Sequence, residues 1–247
     1  MTFSEGTYER ARQLIARYPQ GRERSALLPL LHLVQSEQGY ISPDGVAFCA
    51  EVLGLTKAEV GAVATFYTMY KRRPTGDWLV SVCTNTMCGV LGGDAIFRTL
   101  SEYLDVGHDE TTEDGTITLE HAECLAACDY APVMTVNYEF FDKMEPDTAL
   151  VLVKQLENGE RPQPTRGARL CTLREMSLQL AGFFGREGAD GREGAGVAEG
   201  GAGEPTLAGN RLAERYGISV AGYDPNTPIP TTAEREAAAK AKEAANR

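Results

Sequence analysis

The feature that most constrains this chain is a set of four cysteines in two close pairs. Cys83-Thr-Asn-Thr-Met-Cys88 is followed by 35 intervening residues and then Cys124-Leu-Ala-Ala-Cys128. Each pair sits where a strand-like run gives way to a loop, so the fold is expected to bring the four thiols together at one end of a sheet. Thiolates are soft ligands, suited to iron–sulfur clusters and to zinc alike. A structural zinc site usually uses C-x2-C pairs, and spacers of four and three lie at the edge of that habit. A catalytic dithiol needs C-x-x-C, which is missing. A plant-type ferredoxin orders its cysteines as C-x4-C-x2-C with a distant fourth, unlike this chain. A Rieske centre needs two histidines in its motif. Only His32, His108 and His121 exist, none in such a pairing, and His121 near Cys124 reads as a solvent-facing side chain. The plain alternative is buried, unliganded thiols, and Cys49 and Cys171 fit it because neither has a partner at ligand spacing. Spacing therefore favours a metal site without choosing the metal.

The rest of the sequence bounds the setting. The chain begins Met-Thr-Phe-Ser-Glu, without a basic stretch leading into an apolar one, so no secretory signal is expected. No run approaches the roughly 20 apolar residues of a membrane span. A reducing cytosol, peripheral to a membrane at most, is the expected compartment, and there cysteines serve as ligands or free thiols more often than as disulfides. Residues 1–165 carry 13 Lys and Arg against 24 Asp and Glu, whereas residues 166–247 carry 11 of each. Between Glu102 and Asp147 stand 13 acidic residues and one basic one, Lys143. Such a surface repels phosphate backbones and argues against nucleic-acid binding. It reads as a solvated face, or as a docking surface for a basic partner.

Three zones follow from periodicity, giving an α+β chain. Residues 1–74 predict a helical bundle. Ala11, Leu14, Ile15 and Tyr18 share one helical face that Pro19 helps to end. Ser25 is placed to cap a second helix through Leu27, Leu30, Leu31 and Val34, with Gly39 as its left-handed stop. Ser42-Pro43 opens a third helix that ends near Gly54. Thr56 and Glu59 form a capping box for a fourth. Residues 75–160 predict a small α/β sandwich of thioredoxin-like type: a strand over Asp77–Cys83, a helix over 93–104, strands at Thr116–Leu119 and Pro132–Val136, and a last helix from about Pro146 to Leu156. Residues 161–247 read as a flexible Gly/Ala/Glu-rich extension, open to folding against a partner. Glycines at 182, 185, 188, 191 and 194 recur every third residue, but collagen also needs proline, absent from this run. Residues 234–245 read as a short exposed helix.

The motifs Val82-Cys83-Thr-Asn-Thr-Met-Cys88, Glu123-Cys124-Leu-Ala-Ala-Cys128 and Ala131-Pro132 resemble those of the [2Fe–2S] subunit family of NADH–quinone oxidoreductase, respiratory complex I. Leu31-His32, Gln35, Gly39-Tyr40-Ile41-Ser42-Pro43 and Ala64-Thr65-Phe66-Tyr67-Thr68-Met69-Tyr70 resemble it too, over residues 10–160. The resemblance implies one [2Fe–2S] cluster on Cys83, Cys88, Cys124 and Cys128. It implies a partner flavoprotein that binds FMN and NADH, other peripheral-arm subunits, and no complete active site in this chain alone. Ala126 stands where the family usually has glycine, and Met87 where proline is common. NAD-linked hydrogenases and formate dehydrogenases use a similar module, and a four-cysteine zinc scaffold remains a reading from a different class. No nucleophile, paired carboxylates or G-x-G-x-x-G loop appears in residues 1–160; Gly89, Gly92 and Gly93 read as letting the backbone close around the cluster. An all-cysteine cluster of this kind sits near about −400 mV, and acidic surroundings are expected to keep it low.

Overall fold

The computed structural model describes residues 3–183, together with 212 and 215–217. Four helices come first: α1 (Glu5–Ile15), α2 (Leu27–Gln38), α3 (Pro43–Leu53) and α4 (Lys57–Phe66). Their ends follow local chemistry. Ser42 accepts the Gly45 N–H with Pro43 at the first helical position, and Thr56 and Glu59 close a reciprocal capping box. Gly39 and Gly54 terminate α2 and α3 at φ of 80° and 64°, where a side chain would be strained. Ser25 does not cap α2. It lies inside a 3-10 turn, Glu23–Ala26, whose helical backbone runs straight into α2, leaving no extended residue from which a hydroxyl could reach back.

The second part is a five-stranded sheet with strand order β2-β3-β1-β4-β5. β1 (Trp78–Cys83) is central, parallel to β3 (Ile117–Ala122) and antiparallel to β4 (Met134–Val136); β2 (Glu110–Thr111) and β5 (Glu139–Phe141) form the edges. A short helix, α5 (Thr86–Val90), and α6 (Gly93–Leu104) connect β1 to β3, and α7 (Pro146–Glu157) follows the sheet. Alternation sorts the faces. Val80, Val82, Ile117, Leu119, Met134 and Val136 pack with Ile96 and Leu100 of α6 and with Leu152, Val153 and Leu156 of α7. Cys83 belongs to the opposite face, with Ser81 and Glu120. The edge strands were illegible in sequence because two or three residues hold no period of their own.

Residues 161–183 are not the flexible start of an extension, as the sequence suggested. Thr165 and Arg166 add to the β5 edge, and α8 (Leu173–Leu180) packs against α2. Leu170, Cys171, Leu173 and Met176 are buried, and the Gln35 amide donates to Ser177 at 3.1 Å. Across the expected boundary at 74/75, the described residues of the bundle and of the sheet belong to one compact unit. Lys71 explains why. Its N–H donates to Gln35 in the bundle, while its ammonium pairs with Glu120 on the sheet, which also accepts from Ser81 at 2.6 Å. The second unit comprises residues 207–247, of which Leu212 and Tyr216 share a helical turn. The glycine repeat beyond Gly182 and the expected helix at 234–245 lie outside the described residues.

The bundle carries a pH liability. His32 is buried beside Tyr70, its Nδ1 unpartnered, and burial pulls its pKa down to about 4. The unfolded chain takes up this proton near pH 6.5, the folded chain only near 4. Stability is therefore full above about pH 6.5 and falls between there and pH 4, by about 3 kcal/mol for this group. Urea unfolding of His32→Leu at pH 7 and pH 4.5 should show a smaller pH-dependent loss than the parent; an equal loss would assign the effect elsewhere.

Candidate metal centre

The four motif cysteines gather on two neighbouring loops at the C-terminal ends of β1 and β3. Cys83 is the last residue of β1, and its N–H donates to the Val133 carbonyl. Cys88 sits in α5, one turn on. Cys124 and Cys128 lie on the loop that leaves β3, tied to the first by Thr84 N–H to Ala122 (3.2 Å) and by the Asn85 amide to Glu123 (2.8 Å). Burial is asymmetric: Cys83 and Cys88 are 2% and 1% exposed, whereas Cys124 and Cys128 face solvent. Cys83, Cys88, Ala127 and Val133 form a small apolar cluster with Leu125, Tyr130, Ala131 and Phe140 around it.

The thiols approach in pairs. Cys124 and Cys128 sulfurs are 3.8 Å apart. Burial lifts the Cys88 thiol to about 11, with the Cys83 and Cys128 sulfurs adding to the rise and a Val133 N–H opposing it. Cys128 is raised chiefly by its hydrogen bond to Cys124, with Cys83 contributing. Ionising Cys88 or Cys128 is therefore resisted in part by the neighbouring sulfurs, a penalty that a bound cationic centre relieves. Among the described residues, no three His, Cys, Asp or Glu side chains converge closely enough to hold a single metal ion. Backbone donors already aim at sulfur, from Ala126 to Cys124 at 3.4 Å and from Val133 to Cys88, as hydrogen bonds to cluster sulfurs do.

The loops need unusual backbone. Ala126 has φ of 57°, a left-handed conformation that a β-carbon penalises by roughly 1–2 kcal/mol; this is the physical reason for glycine at that place. Gly93 is required more strictly, since a β-carbon there would overlap the carbonyl of Cys83. Cys49 and Cys171 stay apart from the site, buried, with thiols pushed up to about 12 mainly by burial. His121 stacks against His108, ring centroids 4.0 Å apart, away from the sulfurs' face of β3.

Residues 11–157 match the model of the thioredoxin-like [2Fe-2S] ferredoxin family. This chain belongs to that family. The cofactor of this thioredoxin-like [2Fe–2S] ferredoxin is accordingly a [2Fe–2S] cluster, and the four soft donors in two pairs fit it. Among relatives, the E subunit of NADH-quinone oxidoreductase of Mycobacterium tuberculosis is 58% identical over 205 residues, covering 83% of this chain and 78% of that protein. The same-named protein of Rickettsia conorii is 35% identical over 158 residues, covering 64% of this chain and 95% of its own length. Among solved structures, an NAD+-reducing [NiFe]-hydrogenase chain is 18% identical with a TM-score of 0.49, over 54% of this ferredoxin and 23% of that chain. No described helix is long and apolar enough to cross a membrane.

Proposed function

We propose that this chain is the electron-transfer [2Fe–2S] subunit of NADH–quinone oxidoreductase, holding its cluster through Cys83, Cys88, Cys124 and Cys128. The observation that supports the reading is the placement of those four cysteines on two neighbouring loops at one end of the sheet, two buried and two exposed, with the Cys124 and Cys128 sulfurs 3.8 Å apart. The cluster supplies one-electron acceptance and release. The protein's residues supply four thiolates, N–H donors to sulfur from Ala126 and Val133, and a wall that shields the Cys83/Cys88 side from water. The Cys124/Cys128 side is left open, which gives electrons a route to and from a docked partner. Met87, Val90 and Leu91 stand exposed on and just after α5, beside Cys88, and an apolar rim of this kind suits protein contact. The partner in this reading is the flavoprotein that binds FMN and NADH, in the peripheral arm on the cytoplasmic side.

The 58% identity to a protein named as a part of NADH-quinone oxidoreductase favours this complex over the hydrogenase or formate dehydrogenase alternative. Purification of the tagged chain from its native membranes tests it. An FMN-containing protein and proton-pumping membrane subunits should accompany the chain; a nickel or molybdenum protein in their place would overturn the assignment.

A further inference from the structure

Residues beyond the family match carry a cation to the cluster end of the sheet. Arg166 pairs across from Phe140 at the β5 edge. In register, Phe141 lies opposite Met134 and Met134 opposite Val82, so this is the end of the sheet that carries Cys83. Arg166 pairs on the outer edge of β5, three strand spacings or roughly 14 Å from β1, and its side chain lies over two aromatic rings. Its guanidinium carbon lies 4.4 Å from the Phe140 ring centroid and 5.7 Å from that of Tyr130. Both rings pack against the group formed by Cys83, Cys88, Ala127 and Val133. The guanidinium is held by Asp142 at 2.7 Å, with side-chain exposures of 18% and 5%. Asp142 is fixed in turn by the Thr165 hydroxyl at 2.7 Å, and Arg166 Nε is buried without a hydrogen-bond partner.

We propose that Arg166, laid over Phe140 and Tyr130 by its pairing with Asp142, is a positioning residue that sets the cluster's reduction potential. The proposal rests on the four-thiol reading above. Reduction adds one electron and no proton is required, so a nearby fixed positive charge favours the reduced form and raises the midpoint. With its side chain 18% exposed, this cation is only partly screened by salt. It opposes the acidic run from Glu102 to Asp147, in which Lys143, 5.3 Å from the Tyr130 ring centroid, is the one basic residue. Arg166 lies outside the 11–157 family match, so the extension contributes directly to the redox site.

The test is an EPR-monitored redox titration of the full-length holoprotein and its variants. Arg166→Gln should move the midpoint to lower potential, and Arg166→Lys, which keeps the charge, should restore most of the shift. Asp142→Asn, which removes the opposing charge, should move it upward. An unmoved midpoint in Arg166→Gln, or an Arg166→Lys shift as large as the Gln shift, would overturn the proposal as no more than packing. Should Arg166→Gln fail to load cluster, Asp142→Asn decides: an upward shift supports the proposal, and no shift or a downward one overturns it. A parent chain without any cluster signal would overturn the four-thiol reading, and this proposal with it.

Discussion

Cys83→Ser and Cys88→Ser should each strip the chain of nearly all its cluster. Both sulfurs are almost wholly buried, so no water or neighbouring side chain is available to take the vacated place. Serine oxygen is a harder, shorter-reaching ligand than thiolate, poorly matched to iron already bound to sulfide. Cys124→Ser and Cys128→Ser should lose less. Their loop faces solvent and already tolerates a left-handed Ala126, so a replacement ligand can approach, at a shifted potential. Cys49→Ser and Cys171→Ser should keep full cluster content, the second helped by the Gln179 amide that now points at the sulfur. Iron and acid-labile sulfide per chain measure all six. Cluster loss in Cys171→Ser would show that the ligand set is misassigned.

Removal of residues 161–247 should destabilise the fold severely, although the family match ends at 157. The cut uncovers the face of α2 that α8 occupies and leaves the wholly buried Gln35 amide without its Ser177 partner. It also takes the Cys171 carbonyl from the Asn137 side chain, which orients the loop after β4. Burying a leucine or methionine side chain contributes about 1.5–3 kcal/mol. Leu170, Leu173 and Met176 together therefore represent a large share of a typical domain's stability. Leu173→Ala isolates the effect without shortening the chain; at 1% exposure it should cost about 3 kcal/mol in urea unfolding. Truncation and Leu173→Ala that both unfold like the parent would mean that the segment merely rests on the surface.

These two results also mark what the sequence disclosed and what it withheld. Helix ends at Ser42-Pro43, Thr56/Glu59, Gly39 and Gly54 were legible because capping is decided by residues three or four apart. That Cys83 and Cys88 lie close together at the end of one strand, and Cys124 and Cys128 on the loop after another, was legible because each pair's spacing is likewise a local pattern. Ser25 was misread because a hydroxyl caps only where the preceding backbone is extended, and a 3-10 turn occupies that place. The α8 helix carries its own box, Thr172 with Glu175, yet its apolar residues mean little until α2, some 140 residues earlier, is seen to cover them. Burial of one cysteine pair and exposure of the other, the left-handed backbone at Ala126, and Arg166 over Tyr130 all arise from contacts between distant segments. No spacing rule encodes them.

That four sulfurs from two loops hold a two-iron cluster is tested most directly by an EPR-monitored redox titration of the anaerobically purified full-length chain. The expected result is a brown protein that is silent when oxidised and develops a one-electron signal on reduction, with a low midpoint in the neighbourhood of about −400 mV. A colourless chain that gives no signal and carries one zinc in place of iron and sulfide would contradict it.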